Sequence, residues 1–450
     1  MVTTQLSLPD NLGEALPAGS ATHSNHSANR LASGDRAFHG WYRFVLSYPP
    51  HLVRDYCEAF QLNTSHTVLD PFCGTGTTLV EAKKNGVTAI GLEANPFAQF
   101  ASAVKVDWSV DPDRLEAEAQ VIARTVNDQL AAQGIPDDEP FTRLPAALVL
   151  RTLDKEAARL ILANSISPLP LHKTLLLLDQ LNLRHTQPFY RHMLLALANA
   201  LVFQISNLRF GPEVGVGKPK TNYPVVAAWL SEIMRQAEDL RRVLGQPSPP
   251  AEVHLADARQ VGELITANSI DAVITSPPYP NEKDYTRTTR LESVILGFIT
   301  SKAQLRLLKQ QMLRSNTRGV YKRDDDDRWV AEHPEIERIA QAIESRRIEL
   351  GKDSGFERLY SKVTKLYFGG MARHLADLRR VLRPGAQLAY VVGDQASYLR
   401  VMIRTGQLLA DIAQTLGYEV VRTDLFRTRF ATATKEQLRE EVLVLRWPGR

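Results

Sequence analysis

"HTVLDPFCGTGTTLVEAKKNGVTAIGLE", residues 66–93, decides the fold. It opens on a short β-branched run, "HTVLD" (66–70), and passes through the loop "PFCGTGT". "TLVEAKKNG" then reads as a helix closed by Gly86. "VTAIGLE" (87–93) is a second strand, and it ends in an acid. Strand, loop, helix and strand in so short a stretch is the unit from which parallel α/β sheets are built.

The loop narrows the ligand. Gly74 and Gly76 permit a tight turn and let a ligand approach the backbone closely. Glu93 lies 17 residues after Gly76. A carboxylate at that strand end can accept both hydroxyls of a ribose. Leu79 stands where a dinucleotide fingerprint has its third glycine, and no G-K-[ST] ending follows. The pattern therefore points to a nucleoside without a pyrophosphate, and adenosine joined to methionine fits. The alternative is a glycine-rich turn that only connects strand to helix.

Outward from this unit the texture changes. From about Asp111 the chain turns helical, with Leu115, Ala119, Ile122, Val126 and Leu130 on one stripe. Further helical stretches are interrupted by a loop at 206–225, and a Pro-rich break, "GQPSPP", follows. "AEVHLADAR" (251–259) resumes the sheet as a strand ending in Asp257, and "SIDAVITSPPY" (269–279) is another. A polar helical stretch covers about 300–360 and carries "RSNTRGVYKRDDDDR". A helix, a turn at Arg383-Pro384-Gly385, the strand 386–394, another helix and two closing strands complete the chain.

Ser276-Pro277-Pro278-Tyr279 ends one of the expected strands. Proline fixes its own φ and biases the preceding residue to extended geometry. Two in a row leave the oxygens of Ser276 and Pro277 aimed in set directions. Such acceptors suit an exocyclic amino group on a nucleobase. Its lone pair is delocalised into the ring, and hydrogen bonds from its N–H groups favour a tetrahedral nitrogen that can attack a methyl group. Tyr279 offers a flat face for stacking. The bland alternative is a stiff turn with a surface tyrosine.

Together these residues resemble the S-adenosylmethionine-dependent amino-methyltransferases of DNA, the N4-cytosine and N6-adenine group. "VLDPFCGTGTT" (68–78) is similar to their first cofactor motif, Glu93 to the ribose-binding acid of the second, and Asp257 to the adenine-contacting acid of the third. Ser276 to Tyr279 matches the catalytic [DNS]-P-P-[YFW] motif, in the serine form usual for N4-cytosine enzymes. "FHGWYRFVLSYPPHLV" resembles the segment that packs against the methionine end of the cofactor. The resemblance covers about half the chain. In one respect the order departs from the family's: the large insertion precedes "VHLADAR".

The resemblance implies an α/β, Rossmann-like methyltransferase sheet, mostly parallel with one antiparallel strand near the C-terminus, and two largely helical insertions. Residues 1–35 are then a loose tail, and 36–110 the core with the cofactor motifs. Residues 111–250 form a helical insertion and candidate target-recognition region. Core resumes at 251–299 with the catalytic motif, 300–360 is the second insertion, and 361–450 closes the core. It further implies S-adenosylmethionine as cofactor, held by Asp70, Pro71, Phe72, Gly74, Thr75, Gly76, Thr77, Thr78, Glu93 and Asp257. His39 either touches that cofactor or is a packed residue. Asp284, Tyr285 and Arg287 either line the base pocket or cap the helix that follows.

The expected activity is site-specific methylation of cytosine N4 in duplex DNA, with the base extruded and no covalent intermediate. Adenine N6 is the nearest alternative. An RNA or protein-glutamine methyltransferase and a catalytically silent DNA-binding relative are others. A C5-cytosine mechanism needs a cysteine in a Pro-Cys setting, and neither Cys57 nor Cys73 has one. Arg209, Lys218 and Lys220 in one loop, and Arg318 in another, are candidate DNA contacts; solvated charge is the alternative.

Composition agrees with an enzyme that leaves its partner open. The chain is 44% hydrophobic and 23% charged, with net charge +4. Two cysteines suggest neither a disulfide framework nor a metal pair, and a cytoplasmic setting is expected, without membrane span or metal. A cognate restriction endonuclease is a candidate partner.

Overall fold

The computed structural model describes residues 31–43, 47–138, 144–211, 213–281, 283–431 and 436–449. Most of the expected tail, residues 1–30, lies outside the described residues, as do residues 44–46 of the segment before the first motif. Residues 31–35 are part of the described structure: Asp35 is buried and paired with Arg54 at 2.9 Å.

Among the described residues, nine strands form two sheets. In chain order they are β1 (Thr67–Asp70), β2 (Thr88–Glu93), β3 (Leu208–Phe210), β4 (Val214–Val216), β5 (Ala251–Leu255), β6 (Ile270–Thr275), β7 (Leu382–Gly393), β8 (Glu419–Ala431) and β9 (Glu436–Arg446). The main sheet has the order β5-β2-β1-β6-β7-β9-β8. Pairings from β5 to β7 are parallel, whereas β9 is antiparallel to both β7 and β8. One strand therefore runs against all the others, as the Rossmann-like methyltransferase sheet requires.

The β-branched, apolar strands are buried on both faces, so neighbouring residues serve opposite cores. Val68, Ala272 and Ile274 face one core and Leu69 and Val273 the other. The first core takes in helices from the N-terminal half, including Pro112–Ala132 and Val225–Val243. Leu115, Ala119, Ile122, Val126 and Leu130, the expected stripe, are all buried there. Residues 111–250 thus share a core with the sheet. Asp239 reinforces this by accepting from Phe38 N and from Trp41 Nε1 at 3.2 and 2.9 Å. The second core is covered by helices Pro334–Glu349, Tyr360–Leu378 and Thr405–Thr415.

Two local readings differ from the structure. The stretch 206–225, expected as loop, holds the β3–β4 hairpin after a π-helical turn, Leu201–Ile205. The expected turn at Arg383-Pro384-Gly385 is an irregularity inside β7. Gly385 takes φ +89° and donates its N–H to Trp447 O at 2.7 Å, so the strand continues and its register on β6 shifts. A Pro-Gly pair signals departure from regular pleating, and here the neighbouring strand turns that departure into a bulge.

The strand order reverses between β1 and β6. From β1 the chain runs outward through β2 to β5, and from β6 it runs the other way through β7. In open parallel sheets the loops leaving such a pair diverge and open a crevice at the strand C-termini.

Candidate active site

The crevice is a cavity of about 690 Å³. It is lined by the loop after β1 (Pro71 to Thr75, and Thr77), by Glu93 to Asn95 after β2, by Ala256 to Ala258 after β5 and by Ser276 to Tyr279 after β6. Four strand ends distant in sequence thus converge.

Asp70, the last residue of β1, is fully buried and organises the floor. It accepts from Thr275 Oγ1 and Thr78 Oγ1 at 2.6 Å each, from Phe72 N at 3.1 Å and from Tyr48 OH at 3.2 Å. One carboxylate therefore ties the glycine loop to the end of β6. Burial raises its pKa against these four donors. It acts from beneath the cavity, and so does Thr78, whose hydroxyl also contacts Tyr48 OH.

The glycine loop needs its glycines. Gly76 sits at φ +81° as N-cap of the helix Thr77–Lys84, and an added Cβ would lie 2.4 Å from Ser102 Oγ. Gly74 takes φ +51°, and a Cβ there would meet no protein atom within 4 Å. Its N–H donates to Glu93 Oε2 at 2.9 Å, while Asn95 N donates to Oε1 at 2.8 Å. Burial pushes Glu93 up to about 7 in spite of these two donors. Lys105, which no sequence signal singled out, donates to Thr75 O at 2.6 Å and Tyr42 O at 3.3 Å, bracing the loop from behind.

Asp257 lines the cavity just beyond β5. It also caps the turn after it, accepting from Arg259 N at 2.9 Å, and its two oxygens hold the Arg259 guanidinium at 2.6 to 3.1 Å. Both readings of a strand-end aspartate, cap and cavity residue, are present in one side chain.

At the opposite wall the Ser276 hydroxyl donates to Val391 O at 3.3 Å. The Tyr279 ring lies on the backbone of Gly393, where a Cβ would come within 3.1 Å of Cε2. Tyr285 OH accepts from Tyr279 N at 3.4 Å. Burial holds the Tyr279 phenol well above its ordinary range, with Glu440 adding to it, and pushes Tyr285 up to about 12. Both phenols are neutral.

Other expected site residues lie elsewhere. His39 is buried against Glu81 at 2.7 Å, is not among the residues lining the cavity, and burial lowers it to about 4. It fastens the N-terminal segment. Asp284 caps the short helix Tyr285–Thr288 and pairs with Lys309 at 2.6 Å, and of this trio only Tyr285 lines the cavity. Arg287 stands 3.6 Å from Glu213, which does line it. Arg209 and Lys218 are exposed on or beside the hairpin, Lys220 donates to Gln204 O, and Arg318 lies over Phe356. Of the acids 324–327, Asp324 pairs with Arg314 and Asp326 with Arg259 in buried contacts, and Asp325 pairs with Arg328 at the surface.

The cavity also has walls that motif reading missed. Gln311, Met312 and Leu313 come from the second insertion; Phe426, Arg427, Leu438 and Glu440 come from the β8–β9 hairpin. Arg427 and Glu440 pair there at 2.7 Å. Neither segment carries a local signature of a site.

A family description reading "DNA methylase", of the N6/N4 type, matches residues 22–102, the span of the glycine loop and Glu93. The type II methyltransferase M.BsoBI of Geobacillus stearothermophilus is 24% identical over 90% of this chain and 83% of its own length. M.AvaI of Nostoc is 29% identical over 40% and 38%. These matches support the resemblance of this chain to the S-adenosylmethionine-dependent DNA amino-methyltransferase family. Members of the family use S-adenosylmethionine as methyl donor. The solved TrmN of Thermus thermophilus matches 92% of this chain and 52% of its own, at 10% identity and a TM-score of 0.32. No helix among the described residues is long and apolar enough to cross a membrane.

Proposed function

We propose that this methyltransferase transfers a methyl group from S-adenosylmethionine to N4 of a cytosine extruded from duplex DNA at a specific site. The observation that carries the reading is the single cavity shared by the glycine loop, Glu93 and Ser276 to Tyr279.

The cofactor half fits. Glu93 presents a carboxylate whose two oxygens are already oriented by Gly74 N and Asn95 N, suited to a ribose diol. Gly74 leaves open space where a side chain would stand. Asp257 faces the same cavity on the β5 side, suited to an adenine amino group. When bound, S-adenosylmethionine supplies a methyl group made electrophilic by its sulfonium.

The chain's own part is positioning. Extrusion of the base costs a few kcal/mol. Ser276 parks its proton on Val391 O, which leaves the lone pairs of its hydroxyl for an amino N–H. The Pro277 carbonyl accepts the other N–H. With both N–H groups held, the nitrogen's lone pair turns out of the ring and toward the methyl. Tyr279, braced by Gly393, stacks on the base, and the excess proton then leaves to water. Cys73 plays no nucleophilic part, because burial holds its thiol well above its ordinary range.

Adenine N6 offers an amino group to the same acceptors; the serine at position 276 favours cytosine. The type II relatives extend the reading to a partnered restriction endonuclease of the same site. Duplex DNA of mixed sequence, incubated with methyl-tritiated cofactor and digested, tests it. N4-methylcytosine is the expected nucleoside. N6-methyladenine alone overturns the base assignment, and no incorporation into DNA overturns the function.

A further inference from the structure

The β3–β4 hairpin stands apart from the main sheet and pairs with nothing else among the described residues. Its root is stiff. The π-helical turn Leu201–Ile205 delivers Phe203, whose ring lies 5.7 Å from that of Phe210 in β3 and 5.9 Å from that of Tyr42. Its tip reaches the cavity: Glu213 lines it and stands 3.6 Å from Arg287, on the short helix after the catalytic turn. The ribbon therefore projects beside the place where an extruded base would enter.

Two basic side chains on and beside the ribbon are unengaged. Arg209 is exposed, and its cross-strand partner is Gly215, where an added Cβ would meet no atom within 4 Å. Lys218, just beyond β4, is exposed too. Among the described residues no hydrogen bond or ion pair holds either head group. This contrasts with Arg314, whose guanidinium is buried on Asp324, and with Lys220, which is spent on a backbone carbonyl. A two-stranded antiparallel ribbon fits the major groove, and an arginine fork matches O6 and N7 of guanine.

We propose that the β3–β4 ribbon enters the major groove next to the extruded base, that Arg209 reads a guanine there, and that Lys218 contacts a phosphate. This rests on the DNA-methylation reading and adds to it the element that chooses the sequence.

Selection of bound sites from randomised duplex DNA, with S-adenosylhomocysteine present, tests the proposal without requiring methyl transfer. Wild-type protein is expected to enrich a motif containing a guanine. Arg209→Ala should lose preference at that one position by roughly 10- to 100-fold while keeping its neighbours. Arg209→Lys should lose it as well, because a lysine keeps the charge without the fork. Lys218→Ala should weaken all sequences alike and lower the salt slope by about 1. An unchanged motif in Arg209→Ala, a preference fully retained in Arg209→Lys, or no motif in the wild type overturns the proposal. A wild type that enriches a motif but transfers no methyl group overturns only the function above.

Discussion

Arg259 Nη1 lies 2.5 Å from Asp326 Oδ2, and this contact joins the second insertion to the cofactor side of the cavity. The rest of the same guanidinium holds Asp257. Arg373 also reaches Asp326, at 3.3 Å, and the Asp326 backbone packs so closely on Gly369 that an added Cβ there would lie 1.9 Å from its carbonyl oxygen. Removing Asp326 leaves Arg259 and Arg373 with one carboxylate fewer in a buried cluster. Asp326→Ala should therefore lower unfolding free energy by about 3 kcal/mol in denaturant titrations. A loss within experimental error would show that the insertion is not fastened there. Cofactor affinity, measured on the folded variant, should fall with it, since Arg259, which holds Asp257, loses one of its anchors.

Cofactor binding should depend on pH through Glu93. The folded carboxyl is raised to about 7, so below pH 7 it takes up a proton. A protonated carboxyl cannot accept two ribose hydroxyls as well as a carboxylate does. Affinity for S-adenosylmethionine, followed by calorimetry from pH 8 to pH 6, should weaken as pH falls. Glu93→Gln should bind weakly and lose that dependence. The sign for stability is opposite: a raised carboxyl pKa favours the folded state at low pH, and the contribution fades as pH rises toward 7. Affinity independent of pH across this window in the wild type would remove Glu93 from the ribose.

Ser276 and Tyr279 should separate kinetically. Ser276→Ala removes one acceptor aimed at the reacting nitrogen, and kcat should drop by about 100-fold with cofactor affinity intact. Tyr279→Ala removes a stacking surface worth roughly 1–3 kcal/mol, and should weaken DNA binding in fluorescence anisotropy as well. If Ser276→Ala changes only KM, the hydroxyl binds without steering the nitrogen.

Cys73→Ala should keep methyl transfer. The thiol lines the cavity, but its 3% exposure and strongly raised pKa leave it protonated. Loss of activity with the fold intact would reopen a thiolate mechanism.

The sequence by itself determined the sheet and its two loaded turns. Period-2 and continuous apolar runs, Gly74 and Gly76, and the paired prolines act locally, through backbone sterics, so they were legible without neighbours. The one antiparallel strand near the C-terminus that the family resemblance implied is β9. Tertiary structure alone decided what each charge is for. Asp284, which could have lined the base pocket or capped a helix, caps one and pairs with Lys309; the fold turns Arg314 inward onto Asp324 and spends His39 on Glu81. It brought Gln311 to Leu313 and the Arg427–Glu440 pair to the cavity, and it made a hairpin of a loop. The reason is range: a carboxylate's role is set by the donor within 3 Å of it, and that donor usually belongs to another part of the chain.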